Sequence, residues 1–387
     1  MPLYYGGTEI EMDYKNYLTE NVLKFWLDNA LDREYGGIFT CLDEEGKIYG
    51  EEKSVWFQGR ALYIFCSVYN SVEKREEYLD AARLIYGFLD KCTDKDGRMF
   101  FTVTRDGREI QKRRYYFSET FAAIGCAEYY LATGDEEAKE KAYKYFETAY
   151  GIFKDPSKTT PKFNPETASY KTAAPAMIML STAQVLRKLD EKFDDIVTEM
   201  IESLTVNGNV KDFAMLENVS ADGEFADTPT GRTVNPGHSL ECAWFLMNEG
   251  IARNDEELIK KAQMLTDVSM ELGLKNGAIT AFCDIKGRPA GALEWDMQLW
   301  WPQCEAIIAN RLCYEVTGDV KYKESFEKLL NYAMTHFADE KNGEWYGYLH
   351  YDGTVANTLK GNIFKGPFHL PRMLTVLWKI EKGLPLM

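Results

Sequence analysis

The chain has 387 residues, 45% hydrophobic and 14% aromatic, with no long polar or low-complexity stretch, a composition that excludes disorder and allows a large core. A formal charge of -16 argues against nucleic acid or an anionic membrane surface as partner and suits a neutral small molecule. Met1 to Met12 carries acids and glycines where a secretion signal needs a basic start and an apolar run, and nothing later reaches about 18 consecutive apolar residues, so a cytoplasmic protein off the membrane is expected.

Along the chain, segments of roughly 10 to 14 residues place apolar side chains three and four apart. This spacing predicts helices over Trp56 to Tyr69, Tyr78 to Leu89, Phe121 to Leu131 and Ile307 to Val316. Gly, Asp and Asn punctuate them at Asp94 to Gly97, Thr133 to Asp135, Asn207 to Asn209 and Thr317 to Asp319, which reads as turns and caps. Strand signals are short, as at Met99 to Thr104 and Trp345 to Leu349, and fit hairpins in loops. No Pro/Gly/Ser-rich linker divides residues 1–387, so one domain is expected.

A pattern echoes internally. Glu119, Tyr130, Thr133-Gly134-Asp135 and Tyr143 to Phe153 match Glu305, Tyr314, Thr317-Gly318-Asp319 and Tyr322 to Phe337; Arg60, Tyr69 and Tyr78 to Leu89 follow a similar course. Each unit is a helix, a tight turn and a second, amphipathic helix, and such hairpins bury their apolar faces by stacking or closing on one another. The length holds about six units by this argument, enough for a toroid, with an open solenoid as the rival.

Polar and aromatic residues cluster at helix starts: Trp56 to Arg60, Tyr116 to Glu119, Asn235 to His238 with Glu241, Trp300 to Gln303 with Glu305, and Lys365 to His369 with Arg372. In a ring, equivalent helix ends share one mouth, so these clusters are expected to line one pocket. Trp56 and Trp301 offer planes to a sugar ring, and Arg60, Glu119, Glu241, Gln303 and Glu305 offer polar groups to its hydroxyls. His238 and Glu241 share a helix face at a spacing of three. Taken singly, each of these residues also reads as a cap, a surface pair or core. His336 and His350 lack the proline-bounded setting of His238 and His369.

Eight scattered cysteines fit reduced, mostly buried thiols, and four histidines without CxxC or HExxH spacing disfavour a metal site. The GxxxxGK[ST] phosphate loop is missing as well, which argues against nucleotide hydrolysis.

Read together, KSVWFQGR (Lys53 to Arg60), NPGHSLE (Asn235 to Glu241), EWDMQLWWPQCEA (Glu294 to Ala306), and EWYGYLHYDG followed by FKGPFHLPRML (Glu344 to Leu374) resemble the N-acylglucosamine 2-epimerase family, in family order. YFSETFAAIG (Tyr116 to Gly125) and AAPAMIML (Ala173 to Leu180) add two further blocks. The resemblance implies an all-α fold, an (α/α)6 barrel of six helical hairpins with short β-hairpins in its loops, and a sugar in the central pocket. It places acid/base roles on His238 and His369, makes Arg60 and Glu305 bind and polarise the sugar, and has Glu241 orient His238 or hold a hydroxyl. It implies a sugar 2-epimerase acting on N-acetylglucosamine and N-acetylmannosamine, with no required cofactor, ATP as an effector that is not consumed, and a homodimer from family context.

The chain also departs from family patterns. Members acting on cellobiose or mannose carry a further histidine in the block matching Ala173 to Leu180, which here has none. Gln303 stands where the animal form has histidine, and Met373 where it has cysteine. The alternatives left open are an aldose-ketose isomerase or an epimerase of unmodified sugars on the same barrel, and a non-catalytic binding protein.

Overall fold

Two Thr-Gly-Asp turns show how this sequence makes its hairpins. At Thr133-Gly134-Asp135 and again at Thr317-Gly318-Asp319, the threonine hydroxyl bonds back to the carbonyl four residues earlier and the glycine closes the helix in the left-handed region (φ 74° and 67°). The aspartate then caps the next helix through its side chain. The echo in the sequence is thus a repeated hydrogen-bond pattern.

The computed structural model describes residues 3–5, 8–10, 12–206 and 208–386. Asn207 and part of the N-terminal segment read for a secretion signal fall outside them. Among the described residues the chain forms twelve helices. The first, α1, runs without a break through Tyr14–Asn16, a π-helical Tyr17–Leu23 and Lys24–Asn29. The others are α2 (Val55–Ser71), α3 (Glu76–Leu89), α4 (Phe117–Thr133), α5 (Glu136–Lys154), α6 (Ala173–Leu186), α7 (Phe193–Thr205), α8 (Pro236–Arg253), α9 (Glu256–Gly273), α10 (Trp300–Thr317), α11 (Val320–His336) and α12 (His369–Glu381).

The even-numbered helices form an inner ring. α2 packs on α4, α4 on α6, α6 on α8, α8 on α10 and α10 on α12, and α12 returns to α2. This closure makes the fold the expected (α/α)6 barrel rather than an open solenoid. The odd-numbered helices wrap the outside, with α1 seated on α12. Burial explains the arrangement. Inner α8 buries nearly every residue from Pro236 to Gly250, whereas outer α5 buries only a stripe of Ala138, Ala142, Tyr145, Phe146, Ala149 and Ile152.

The main core is a large cluster in which Trp26, Trp244 and Trp345 are wholly buried, with a small second cluster at Leu216, Val219 and Val234. Each such large side chain contributes about 1.5–3 kcal/mol. Gly59 permits the close α2–α4 contact, since a Cβ there would stand 2.6 Å from backbone atoms of Phe121 and Ala122.

Sheets are small and antiparallel. Thr102–Val103 pairs with Glu109–Gln111 and with Lys53–Ser54, and Tyr348–Leu349 pairs with Val355–Asn357 and with Gln298–Leu299. Both expected loop hairpins are therefore present, each extended by a strand that leads into an inner helix. All eight cysteines are free thiols, six of them buried. No helix among the described residues is long and apolar enough to cross a membrane.

Candidate functional site

The inner helices all begin at one end of the ring, and the polar residues of their first turns divide into two sets. One set turns back into the wall. Gln58 accepts from Ile38 N and donates to Ile38 O, both at 2.9 Å; Gln303 does the same to Ile279 at 2.8 Å. Glu119 Oε1 accepts from Met99 N at 3.0 Å and from Arg98 Nε at 2.6 Å. Each clamps the segment that follows an outer helix onto the next inner helix.

Glu119 and Gln303, expected to face a ligand, thus lie outside the cavity. At this turn of the helix the side chain meets the incoming backbone, whose buried N–H and C=O groups need partners.

The other set faces the axis. A cavity of about 310 Å³ is lined by Trp56 and Arg60 of α2, Phe117 and Phe121 of α4, His238 and Glu241 of α8, Trp300 and Trp301 of α10, and Phe368, His369 and Arg372 of α12. From α6 the wall also takes Ala174, Met177, Ile178, Ser181 and Thr182. All five clusters marked in the sequence reach this cavity.

His238 is presented by the start of α8. Asn235 caps the helix on His238 N, Pro236 takes the first helical position, and Gly237 lets the helix approach Trp301, whose ring would lie 2.6 Å from a Cβ at that glycine. The Trp301 indole sits 5.1 Å from the His238 ring and 5.6 Å from the His369 ring, centroid to centroid, so one aromatic plane bridges the two imidazoles.

Each imidazole is tied to a carboxylate through Nδ1: His238 to Glu217 Oε1 at 2.8 Å, His369 to Glu305 Oε1 at 2.7 Å. Nε2 of both rings is left for a ligand.

Glu305 is fully buried beneath His369, away from the cavity surface. It also accepts from Arg372 Nη2 and from Trp244 Nε1, each at 2.7 Å. Glu305, expected to touch the sugar, thus lies behind the cavity wall and holds two groups that line it, His369 and Arg372. Glu241 lines the cavity and accepts from the same Arg372 nitrogen.

Glu241, Glu305 and His369 offer ligand atoms within 4.8 Å of one another, a spacing a cation could use. Arg372 already donates to both carboxylates, so their charge is met by the guanidinium.

The two imidazoles are pushed in opposite directions. Burial disfavours charge on His238, but the Glu217 carboxylate outweighs it and raises the pKa above the usual 6.5. For His369, burial and the adjacent Arg372 cation act together and hold the pKa well below 6.5.

Arg60 is stacked among Trp56, Phe121 and Phe368, with its guanidinium carbon 4.8, 4.1 and 4.9 Å from their ring centres. It has no carboxylate within salt-bridge distance among the described residues, and its Nε is buried without a partner. Burial brings its pKa to about 9, which leaves it cationic at neutral pH.

His336 and His350 are elsewhere, as expected: His336 stacks on Tyr332, and His350 closes a turn with Thr354.

Fold and cavity together define the class, a closed (α/α)6 barrel with an aromatic, histidine-bearing pocket on its axis. The same fold occurs in a solved D-mannose isomerase, which superposes with a TM-score of 0.85 over 98% of this chain and all of that one at 17% identity. The family model for N-acylglucosamine 2-epimerase (GlcNAc 2-epimerase) matches residues 37–366. The N-acylglucosamine 2-epimerase of Bos taurus is 35% identical over 94% of this chain and 90% of its own, and the cellobiose 2-epimerase of Ruminococcus albus is 25% identical over 93% and 96%. The chain belongs to the N-acylglucosamine 2-epimerase family and is an isomerase.

No pattern in the sequence points to Glu217, and Arg372 stands in one of its clusters without a role. Arg372 had a usable signal: it stands three residues after His369, the spacing that singled out Glu241 after His238. Glu217 had none, because it comes from a short connecting segment that no periodicity marks.

Proposed function

We propose that this protein interconverts N-acetylglucosamine and N-acetylmannosamine by moving the proton on C2 of the ring-opened sugar. The observation that carries the reading is the pair of imidazoles on one cavity, each anchored through Nδ1 and free at Nε2. In the opened sugar the C2 hydrogen is acidic because C1 is a carbonyl. One imidazole takes that proton, and the bonding pair moves into C1–C2 as the carbonyl oxygen becomes an enolate. The other imidazole returns a proton to the opposite face of C2, the carbonyl re-forms, and C2 is inverted with no net gain or loss of atoms or electrons.

Imidazoles suit this exchange near neutral pH. Arg60, a cation with no carboxylate of its own, supports the enolate oxygen, worth on the order of 3 kcal/mol by analogy with oxyanion donors. Trp301 and Trp56 give apolar planes for the sugar carbon skeleton. Ala174, Met177 and Ile178 give an acyl methyl an apolar surface, beside the hydroxyls of Ser181 and Thr182. These steps call for no redox or metal cofactor.

The family context further suggests a cytoplasmic homodimer stimulated by ATP that is not consumed. One cavity suits such an effector. It measures about 460 Å³, is lined by Arg114, Lys162 and Lys171 with Tyr116, Phe163 and Tyr170, and has no carboxylate among its lining residues. Phosphates would meet the cations and a purine the rings.

The test is to incubate the protein in heavy water with N-acetylmannosamine, N-acetylglucosamine, mannose and cellobiose separately and follow C2 by proton NMR. The two N-acetyl sugars are predicted to lose the C2 proton signal and convert into each other. A ketose product, or turnover confined to mannose or cellobiose, overturns the substrate assignment. No exchange with any sugar defeats the catalytic reading.

A further inference from the structure

We infer that Glu217 is a positioning residue that loads His238 with a proton, so that the resting protein carries a cationic His238 opposite a neutral His369. This inference rests on the two-histidine reading above.

The placement of Glu217 is rigid. Its backbone N–H donates to Thr233 O at 2.9 Å, and its carbonyl accepts from Ala173 N at 3.1 Å. The next residue, Asn218, opposes Thr172 in the strand pair Tyr170–Thr172 with Asn218–Ser220. Thr172 leads into α6, and Thr233–Val234 leads into α8. Glu217 is therefore pinned between the entrances of two inner helices, and its side chain meets His238 Nδ1 at 2.8 Å from outside the cavity.

The two His–Glu pairs look alike and differ in what else the carboxylate serves. Glu305 accepts from His369, Arg372 and Trp244 together, and its charge is drawn toward a guanidinium. The only salt-bridge partner of Glu217 among the described residues is His238. A carboxylate shared with arginine stabilises an imidazolium less than one that has no other cation.

The remaining charges around His238 do not cancel this difference. Glu241 on its own helix and Glu305 on α10 also favour the cation, while His369 and Arg372 of α12 and Arg60 of α2 stand on the same cavity. The directions of both pKa shifts agree with the assignment.

With Nδ1–H donating to Glu217, the Nε2–H of His238 is the acid and the bare Nε2 of His369 is the base. Opposed environments of this kind separate acid from base in a paired site. The first half-reaction from the resting state therefore begins at the face of C2 that His369 meets, and the protonation pattern inverts with each turnover.

Glu217→Gln tests this, because the amide keeps a hydrogen-bond acceptor for Nδ1–H and removes the charge. The chain has only four histidines, so nitrogen-labelled imidazoles can be titrated by NMR in the free protein. The pKa of His238 is expected to fall in E217Q while that of His369 stays in place. In turnover, the alkaline limb of the pH profile, set by loss of the His238 proton, should shift to lower pH, the acid limb should hold, and kcat should fall roughly 10- to 100-fold as for other outer carboxylates that orient a working imidazole. KM should change little, since Glu217 does not reach the cavity. A His238 titration unmoved by E217Q overturns the role of Glu217. A titration that moves while the alkaline limb stays fixed overturns the two-histidine reading beneath it.

Discussion

Arg372 Nη2 and His369 Nδ1 converge on one oxygen of Glu305, each at 2.7 Å, in a fully buried layer under the cavity floor. That shared oxygen fixes the orientation of His369, while burial and the adjacent Arg372 cation hold the imidazole's pKa well below 6.5. The carboxylate that resembled a substrate ligand in the sequence is the support on which the α12 part of the site stands.

Glu305→Ala leaves Arg372 with one carboxylate and Trp244 Nε1 with none. A cost of about 3–5 kcal/mol is expected, as for breaking a buried pair from one side. Glu305→Gln keeps an acceptor and should stay folded, yet lose most of kcat because the His369–Arg372 geometry loosens. Denaturant unfolding read beside C2 exchange checks both.

Arg60 predicts the opposite combination. A buried guanidinium without an ion pair is a liability to the fold, so Arg60→Met should leave the melting temperature unchanged or raise it. The same change removes the enolate support and should lower kcat by about 10² to 10³. Loss of stability in step with activity would argue that Arg60 is structural.

Gln303→Ala and Glu119→Ala should behave in reverse to Arg60→Met. Each strands buried backbone groups, at Ile279 and Met99, and should cost about 1–3 kcal/mol. The turnover of the folded fraction should remain within a few-fold of the parent. A selective rise in KM in either variant would return that residue to the ligand.

Gly237→Ala tests the bridging indole. The new Cβ would press on Trp301, displacing the ring between the two histidines at a cost of about 1–3 kcal/mol. Catalysis should suffer more than folding, which kcat and thermal unfolding measured on one preparation will show.

Opposite pKa shifts also give stability opposite slopes with pH. His369 is depressed in the folded protein, so its contribution is present above the unfolded value of 6.5 and is lost as pH falls toward its folded value, by up to about 1.4 kcal/mol per pH unit. His238 is raised, so its contribution is complete below 6.5 and is lost as pH rises through the folded value. Urea unfolding of the parent and His369→Asn should diverge in pH dependence below 6.5; parallel curves would contradict the shift.

Much of this is legible in the sequence. The Thr-Gly-Asp turns, amphipathic outer helices and proline-bounded His238 follow from local rules, and local rules suffice for hairpins and helix starts. Three-residue spacing placed Glu241 beside His238 because one helix face decides it. A polar residue in the first turn reads the same whether it points to the axis or back into the wall, and for that reason the sequence alone points Glu119 and Gln303 to the ligand. Glu217 and His238 come from separate elements brought together by the strand pairing at Thr172 and Asn218, a relation invisible in one dimension.

The most direct test of the central claim is C2 exchange in heavy water with His238→Asn and His369→Asn. The parent should invert both N-acetyl sugars. Each variant should stop inversion, and any residual deuterium uptake should be confined to one epimer, a different one for each variant, since the remaining imidazole serves only its own face. Inversion at the parent rate in either variant, or exchange of both epimers by a single remaining histidine, would contradict the account.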